Sequence, residues 1–243
     1  MYKAHPVFLD PEKPFELLWR YMDWPRFFLL LKTRNLFFTS ARVLQEYDSF
    51  EGSIPKKERE ASYSQLGWTD DTIRTAQATL RDENFVSCWH YNDSESIAMW
   101  KLYAPTGNGI AIQTTIPEFK LAFAGSARDV YAGQVVYIDY NSHIFYHDEP
   151  RGEPYMNGFT SFIHKRLIFS HEREYRAIIA DFDAVKTKPT GLEVPVDLGC
   201  LVKRVVVAPK TDKWILNAVQ LVLDELLAGV KAEPSTGDLT SDV

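Results

Sequence analysis

The sequence predicts an α+β fold: a single domain with a mixed or antiparallel sheet flanked by helices. Segments of alternating apolar residues, typical of strands, are interspersed with segments of helical spacing and show no regular βαβ alternation. The 243 residues are 45% hydrophobic, which is enough for one sizeable core. No internal repeat or Gly/Ser-rich linker interrupts the sequence, so one domain is the simplest expectation.

We expect this domain to cover residues 17–231. Three prolines lie within residues 1–14, and residues 1–16 are predicted to form an extended N-terminal arm. Residues 232–243 are polar and predict a disordered C-terminal tail. The first residues lack the apolar run of a signal peptide, and the longest apolar stretch is far shorter than the ~20 residues that span a bilayer. These features predict a cytoplasmic protein.

Apolar spacing and capping residues place the predicted elements. The first strand, residues 17–22, puts Trp19 and Tyr21 on one face and Arg20 on the other. Asp23 is a suitable N-cap for the helix that follows, with Pro25 in its first turn. Further strands are predicted at residues 36–40, 85–90, 110–113, 134–140, 172–180, 193–198 and 201–208. Further helices are predicted at residues 69–82, 95–104, 157–170 and 211–229, whereas residues 46–68 are predicted to be a loop.

Composition excludes several functional classes. The chain carries 27 Lys and Arg against 33 Asp and Glu, a net charge of −6, which argues against tight nonspecific binding to duplex nucleic acid but not against brief catalytic contact with one. Cys88 and Cys200 form no CxxC or Cys/His framework, so neither a disulfide scaffold nor a structural zinc site is expected. The Gly-rich dinucleotide and P-loop fingerprints, GxSxG and HExxH are all absent. No metal site is predicted.

A pair of carboxylates is the most informative candidate for chemistry. If residues 172–180 form a strand, Glu172, Glu174 and Arg176 share one of its faces. One carboxylate can then hydrogen-bond a sugar hydroxyl while the other accepts a proton from a nucleophile. The same residues also fit the charged, solvent-exposed face of an edge strand, where Glu and Arg pair with each other.

Aromatic residues dominate the segment 88–103. Trp89, Trp100 and Tyr103 are candidates for a slot that holds a flat ring such as nicotinamide or adenine. Trp100 fits the apolar face of the predicted helix as well, and we favour a core position for it. His90 is a candidate for a pocket residue that donates a hydrogen bond or moves a proton.

A third group combines Arg20 with the hydroxyl groups of Thr39 and Ser40. If the two predicted strands are neighbours, these side chains can hold phosphate or ribose oxygens. Taken on their own, these residues are explained slightly better by ordinary polarity at strand ends.

Several short motifs together resemble a bacterial family, the one catalogued as domain of unknown function 2971. The resemblance covers residues 17–210, and its most specific part is the Trp-His and Met-Trp block around Trp89 and Trp100. The motifs are Leu18-Trp-Arg-Tyr21, Leu36-Phe-Phe-Thr-Ser40, Asp48-Ser-Phe-Glu-Gly52, Cys88-Trp-His90 with Glu95-Ser-x-Ala-Met-Trp100, Gly109-Ile-Ala-Ile112 and Glu172-x-Glu-Tyr-Arg176. The family name implies no activity.

The order of an early Arg, a hydroxyl-bearing strand and a late Glu-x-Glu resembles the layout of ADP-ribosyltransferases. This resemblance implies NAD⁺ as substrate and cleavage of its nicotinamide–ribose bond through an oxocarbenium-like transition state. Glu174 would hydrogen-bond the ribose 2′-hydroxyl and stabilise positive charge, Glu172 would orient or deprotonate the acceptor, and Arg20 would bind phosphate or ribose oxygens. The sequence departs from the family pattern because it has no Ser-Thr-Ser triplet.

The same resemblance implies a set of NAD⁺-binding residues. Ser40, or alternatively Ser87, would take the role of the family's serine, and Trp89 would stack on nicotinamide. Tyr21, His90 and Tyr103 complete the predicted binding site.

The leading hypothesis is thus an NAD⁺-dependent ADP-ribosyltransferase-like enzyme, an effector of bacterial conflict or phage defence that modifies protein or nucleic acid. The alternative is a non-catalytic accessory module that binds a nucleotide or a protein through the aromatic pocket. A nuclease with Asp139, Glu172 and Glu174 as metal ligands ranks last, because no Lys completes a Glu-x-Lys motif.

Overall fold

One sheet contains strands from nearly the whole length of the chain in the computed structural model, which describes residues 1–12, 17–105, 107–144 and 157–238. The strands are β1 (Leu17–Asp23), β2 (Asn35–Ser40), β3 (Asn84–Tyr91), β4 (Gly109–Thr115), β5 (Tyr131–Gln134), β6 (Val136–Ile138), β7 (His164–Arg166), β8 (Glu174–Ala180), β9 (Gly191–Pro195), β10 (Arg204–Val207) and β11 (Ala232–Pro234).

Helices are inserted between most of these strands. They are α1 (Trp24–Thr33), α2 (Ala41–Leu44), α3 (Lys56–Leu66), α4 (Asp70–Glu83), α5 (Ile97–Tyr103), α6 (Ile116–Leu121), α7 (Ala184–Thr187), α8 (Leu198–Leu201) and α9 (Lys213–Leu226). Short 3₁₀ helices cover Thr160–Phe162, Leu167–Glu172 and Thr236–Asp238. As predicted from the sequence, Asp23 caps α1, accepting a hydrogen bond from the Arg26 N–H at 2.9 Å.

The main sheet runs in the order β11-β10-β4-β1-β3-β2-β9, and β8 adds to β3 with β5 at its outer edge. Its pairs are antiparallel except β10 with β11, which is parallel, and β6 and β7 form a separate parallel pair. Helices and strands thus mix without βαβ repeats. The predicted α+β fold is confirmed.

The largest apolar core lies on one face of the sheet, where Phe85 and Trp89 of β3 pack with Phe119 of α6 and Leu223 of α9. The opposite face carries two smaller apolar clusters, one around Trp100 of α5 and one around residues 86 and 178. Between these smaller clusters lies a group of buried charged side chains. This group is the candidate functional site.

Both chain ends pack against the sheet. The Gln134 N–H in β5 donates to the carbonyl of Leu9 at 2.8 Å, and Val7 and Phe8 are buried. The approach is close enough that a Cβ on Gly133 would lie 2.8 Å from the Leu9 nitrogen. At the other end, residues 232–234 pair with β10 as β11, so the prediction of a disordered tail over residues 232–243 is wrong for this part. Residues 239–243 of the predicted tail lie outside the described residues.

Other differences from the sequence prediction arise where tertiary pairing overrides local spacing. The predicted helix 157–170 is instead two 3₁₀ helices around β7, since Val136 of β6 pairs with His164. The predicted loop 46–68 contains α3. Among the described residues, no helix has both the length and the apolarity needed to cross a bilayer.

Candidate functional site

Strand β3 is central to the site because one of its edges is only partly covered. Along one edge it pairs with β8 over nearly its whole length. On the other edge β1 pairs only near the end of β3, with Trp19 opposite His90, and β2 only near its beginning, with Thr39 opposite Val86. Residues 87–89 therefore face an opening between β1 and β2, where none of the described strands pairs with them.

Arg20 spans this opening. Its Nη2 donates to the backbone carbonyl of Phe37 in β2 at 3.3 Å, and its Nη1 donates to Oγ of Ser87 in β3. Its Cζ also lies 5.7 Å from the centre of the Trp89 ring. Among the described residues, none of the carboxylates forms an ion pair with Arg20. A partly buried guanidinium without a carboxylate partner is suited to bind an anionic group of a ligand.

A kink in the backbone brings Glu172 and Glu174 together. Strand β8 begins at Glu174, Glu172 ends the preceding 3₁₀ helix, and Arg173 between them has a φ of 40°. This left-handed conformation costs a non-glycine residue about 1–2 kcal/mol. It is held by the Tyr91 N–H, which donates to the Arg173 carbonyl at 2.8 Å. The prediction that both carboxylates share a strand face is therefore wrong for Glu172.

The two carboxylates meet at Lys165 of β7. The Lys165 Nζ lies 2.5 Å from Oε2 of Glu172 and 2.6 Å from Oε1 of Glu174. The ammonium also lies 4.6 Å from the centre of the Phe169 ring, which shields one side of it. All three charged side chains are at least largely buried, with exposures of 10%, 14% and 6% for Lys165, Glu172 and Glu174. Buried groups of opposite charge at such distances interact far more strongly than exposed ones.

Arg176 and Glu51 hold Glu174 from the other side. The Arg176 Nε donates to Oε2 of Glu174 at 2.7 Å, as expected from their shared strand face. Its two terminal nitrogens donate to both oxygens of Glu51, at 2.7 and 3.0 Å, and the Phe162 carbonyl accepts another bond at 2.6 Å. With only 1% of its side chain exposed, Arg176 is satisfied entirely by protein groups.

The two carboxyl groups differ in how readily they hold a proton. Burial, reinforced by the neighbouring Glu174 carboxylate, raises the pKa of Glu172 to about 7. Burial acts in the same direction on Glu174, but Arg176 and Lys165 outweigh it and hold its pKa well below the ordinary value. At neutral pH Glu174 is therefore ionised, while Glu172 holds a proton more readily than an ordinary carboxylate and is suited to proton transfer.

Tyr103 and Cys88 connect Arg20 electrostatically with the carboxylate pair. Burial raises the pKa of the Tyr103 phenol, and Cys88, Glu174 and Glu172 raise it further while Arg20 lowers it. Burial likewise raises the pKa of the Cys88 thiol, with Glu174 adding to the effect, so this thiol is unreactive at neutral pH. Tyr103 as a whole is 45% exposed, so part of this residue reaches solvent while its phenol is buried.

His90 lies beside the pair with one ring nitrogen unused. Its Nδ1 is 2.6 Å from the backbone carbonyl of Glu172 and must donate, because a carbonyl only accepts. Burial lowers the pKa of His90, so the ring is neutral at pH 7 and Nε2 carries a lone pair. Among the described residues this buried Nε2 has no hydrogen-bond partner. The structure thus offers an acceptor at Nε2, where the sequence suggested a donor.

Trp89, Ser40 and Tyr21, which were predicted to bind the ligand, have structural roles instead. Trp89 is 1% exposed, packs 5.0 Å from Phe119 and donates from Nε1 to Ser87, so no ligand ring reaches it to stack. Ser40 is 1% exposed, and its Oγ donates to the Arg81 carbonyl, away from Arg20. Of the two candidate serines, Ser87 is the one that contacts Arg20.

Tyr21 belongs to the packing of α5. Its hydroxyl accepts a hydrogen bond from the Ser96 N–H at 2.9 Å, at the N-terminus of that helix, and its ring lies 4.9 Å from Trp100. Tyr21 is 5% exposed, and the centre of its ring lies 6.2 Å from that of His90. Tyr21 is therefore a packing residue beside His90 and does not face a ligand. Trp100 is in the core, as favoured from the sequence.

Sequence reasoning missed Lys165 and Glu51. Lys165 falls in the segment predicted as a helix, and its contact with Glu172 depends on the pairing of β6 with β7. Glu51 belongs to the motif Asp48-Ser-Phe-Glu-Gly52, and nothing in the sequence of this motif indicates that the Glu51 carboxylate pairs with Arg176. Residues 172–176 contain two Glu and two Arg, so the net charge of this segment gave no sign of a further buried cation nearby.

Other parts of the structure do not contribute to this site. Two cavities of about 270 Å³ each, one between α3 and α4 and one beside α9, contain none of the predicted site residues. Asp139 is at the surface, where it accepts hydrogen bonds from Asn141 and Ser142, so it does not join Glu172 and Glu174. No group of three potential metal ligands was found among the described residues.

Comparison with models of known protein families gave no match, and no curated protein matches the chain.

Proposed function

We propose that the protein is an NAD⁺-dependent ADP-ribosyltransferase-like enzyme. The main support is the pair of buried carboxylates, of which Glu174 is ionised and Glu172 has a raised pKa, together with an arginine in the opening beside β3 that has no carboxylate partner among the described residues. An oxocarbenium-like transition state needs a negative charge nearby, and its nucleophile needs a proton acceptor. Glu174 and Glu172 have these two properties.

In this proposal the bond between the nicotinamide nitrogen and ribose C1′ breaks, and its electron pair leaves with neutral nicotinamide. The ionised Glu174 stabilises the positive charge that develops on the ribose. The acceptor nucleophile, on a protein or a nucleic acid, then bonds to C1′ and its proton passes to Glu172. Glu172 is the more exposed of the two carboxylates, which suits a group that exchanges protons with an acceptor.

The remaining site residues would bind the dinucleotide. Arg20, with Ser87 fixing one of its nitrogens, would contact a phosphate. The free Nε2 of His90 would accept a hydrogen bond from a ribose hydroxyl or from the carboxamide of nicotinamide. Tyr103, the most exposed of the predicted aromatic residues, would take the stacking role that the resemblance gives to Trp89.

Release of nicotinamide from NAD⁺ by the purified chain tests this proposal. We expect Glu174→Gln to lose at least about 100-fold in rate, because the charge at the ribose is removed with little change in shape. Glu172→Gln should also lose activity, and the wild-type rate should rise with pH through about 7 as Glu172 loses its proton. Glu193→Gln, a change on edge strand β9, is the matched control and should keep full activity.

Full activity of Glu174→Gln would contradict the proposal. Thermal unfolding of each variant separates loss of chemistry from loss of fold, and Glu172→Gln is the safer variant because Glu172 is less buried.

A non-catalytic nucleotide-binding module is the second candidate. The observation that favours it is that both oxygens of Glu174 are already engaged, one by Lys165 and the other by Arg176. This candidate predicts that NAD⁺ or a related nucleotide binds without release of nicotinamide. It also predicts that Glu174→Gln binds the nucleotide as the wild type does and likewise releases no nicotinamide.

A further inference from the structure

Lys165 contacts both carboxylates from outside the segment that carries them. It lies on β7, which pairs with β6 in a small sheet of its own, whereas Glu172 and Glu174 flank the start of β8. Its Nζ is within 2.6 Å of an oxygen of each. Among the described residues, Lys165 is the one cation that forms an ion pair with Glu172.

The charges around Glu172 come from several elements. Glu174 acts on it from the start of β8, where Arg176 pairs with both Glu174 and Glu51. The other titratable groups nearby are His90 and Cys88 on β3, His171 and Arg173 beside Glu172, Tyr103 on α5 and Tyr137 on β6. Arg176 is shared between Glu51 and Glu174, so only part of its positive charge compensates the Glu174 carboxylate.

The ion pairs around the two carboxylates show which of them holds a proton more readily. Lys165 is shared between Glu172 and Glu174, and Arg176 is shared between Glu174 and Glu51, beside which the buried Arg81 also lies. A proton taken up by the Glu172–Glu174 pair relieves the repulsion between these two buried carboxylates. Glu174 touches both cations and Glu172 touches only Lys165, so Glu172 takes the proton.

We propose that Lys165 is the positioning residue of an acid–base pair: its ammonium holds the Glu172 and Glu174 carboxylates together so that they share one exchangeable proton, which resides on Glu172. The role of that proton in glycosyl transfer rests on the proposed function, but the charge arrangement does not. Lys165 therefore sets the pH at which the pair becomes able to accept a proton.

The test is a titration of the Glu172 side-chain carboxyl by ¹³C NMR in the full chain, without any ligand. In the wild type we expect a midpoint at about 7. Lys165→Met should raise that midpoint by about one unit or more, a tenfold change in proton affinity, because the cation that favours the ionised form is gone. Lys165→Arg should restore it towards the wild-type value. Lys186→Met, which removes an exposed lysine paired with Asp183, is the matched control.

Glu174→Gln gives a second test that holds even if Lys165→Met does not fold. Glu174→Gln removes the negative charge beside Glu172 and leaves Lys165 with Glu172 as its one ionised carboxylate partner. The titration midpoint of Glu172 should therefore fall by about one pH unit or more. A Glu172 midpoint that is unchanged in Lys165→Met or in Glu174→Gln would overturn the proposal. The titration needs no NAD⁺, so shifted midpoints in a protein that releases no nicotinamide would support the positioning role while contradicting the proposed enzyme.

Discussion

At the scale of single residues, the site is defined by how few of its charges reach solvent. Arg176 has every donor group near a protein acceptor, and Glu51 takes two of its bonds. Such pairs are not reliable sources of stability, because desolvation offsets their attraction, yet removal of one partner leaves a buried charge uncompensated. The residues of this cluster are therefore expected to tolerate substitution poorly, in contrast to ion pairs at the surface.

Glu51→Gln tests this expectation. The change leaves Arg176 with one carboxylate in place of two, and we expect it to lower the free energy of unfolding by about 3–5 kcal/mol. The measurement is chemical denaturation at pH 7. Asp183→Asn, which breaks the exposed pair with Lys186, should have no measurable effect. Equal losses in the two variants would show that the Glu51–Arg176 pair contributes nothing beyond a surface contact.

The sequence indicated the right residue types for the carboxylate pair but not their geometry. Period-two spacing correctly placed Glu174 and Arg176 on one face, because both lie within β8. It failed for Glu172, since local spacing carries no information about the positive φ of Arg173. The role of Lys165 could not be predicted, because its position depends on the pairing of β7 with β6, which is distant in sequence.

At the scale of elements, α5 links the site to the C-terminal strand. The Glu95 carboxylate just before α5 accepts hydrogen bonds from Nε1 of Trp100 at 3.0 Å, Oγ of Ser235 at 2.5 Å and the Thr236 N–H at 2.9 Å. Tyr103, at the end of α5, faces the charged cluster. The chain end that the sequence predicted to be disordered is thus bonded to the helix that carries a candidate binding residue.

Glu95→Ala should loosen both segments that this carboxylate joins. We expect faster amide hydrogen exchange in α5 and in residues 232–236, with little change in α9, because four donors, two of them on the buried residues Trp100 and Ser235, lose their acceptor. Glu95→Gln keeps an acceptor oxygen and should have a smaller effect. Unchanged exchange in Glu95→Ala would show that α5 is held by its apolar contacts alone.

At the scale of the whole molecule, the sequence predicted the fold class well and the arrangement of the site only in part. Elements with strong apolar spacing, such as α9 and β3, were found close to their predicted positions. The opening between β1 and β2 could not be predicted, since it depends on both strands sharing one edge of β3. That shared edge brings Arg20 and Ser87 into contact and excludes Ser40.

We propose that Arg20, in the opening beside β3, and the carboxylate pair of Glu172 and Glu174 bind the same NAD⁺ molecule. The test is a calorimetric titration of the purified chain with NAD⁺, compared with the Arg20→Lys variant. We expect saturable binding by the wild type and an affinity at least about tenfold lower in the variant, because an ammonium cannot replace the guanidinium fork on a phosphate. Absence of binding at millimolar NAD⁺, or equal affinity in a folded Arg20→Lys variant, would contradict it.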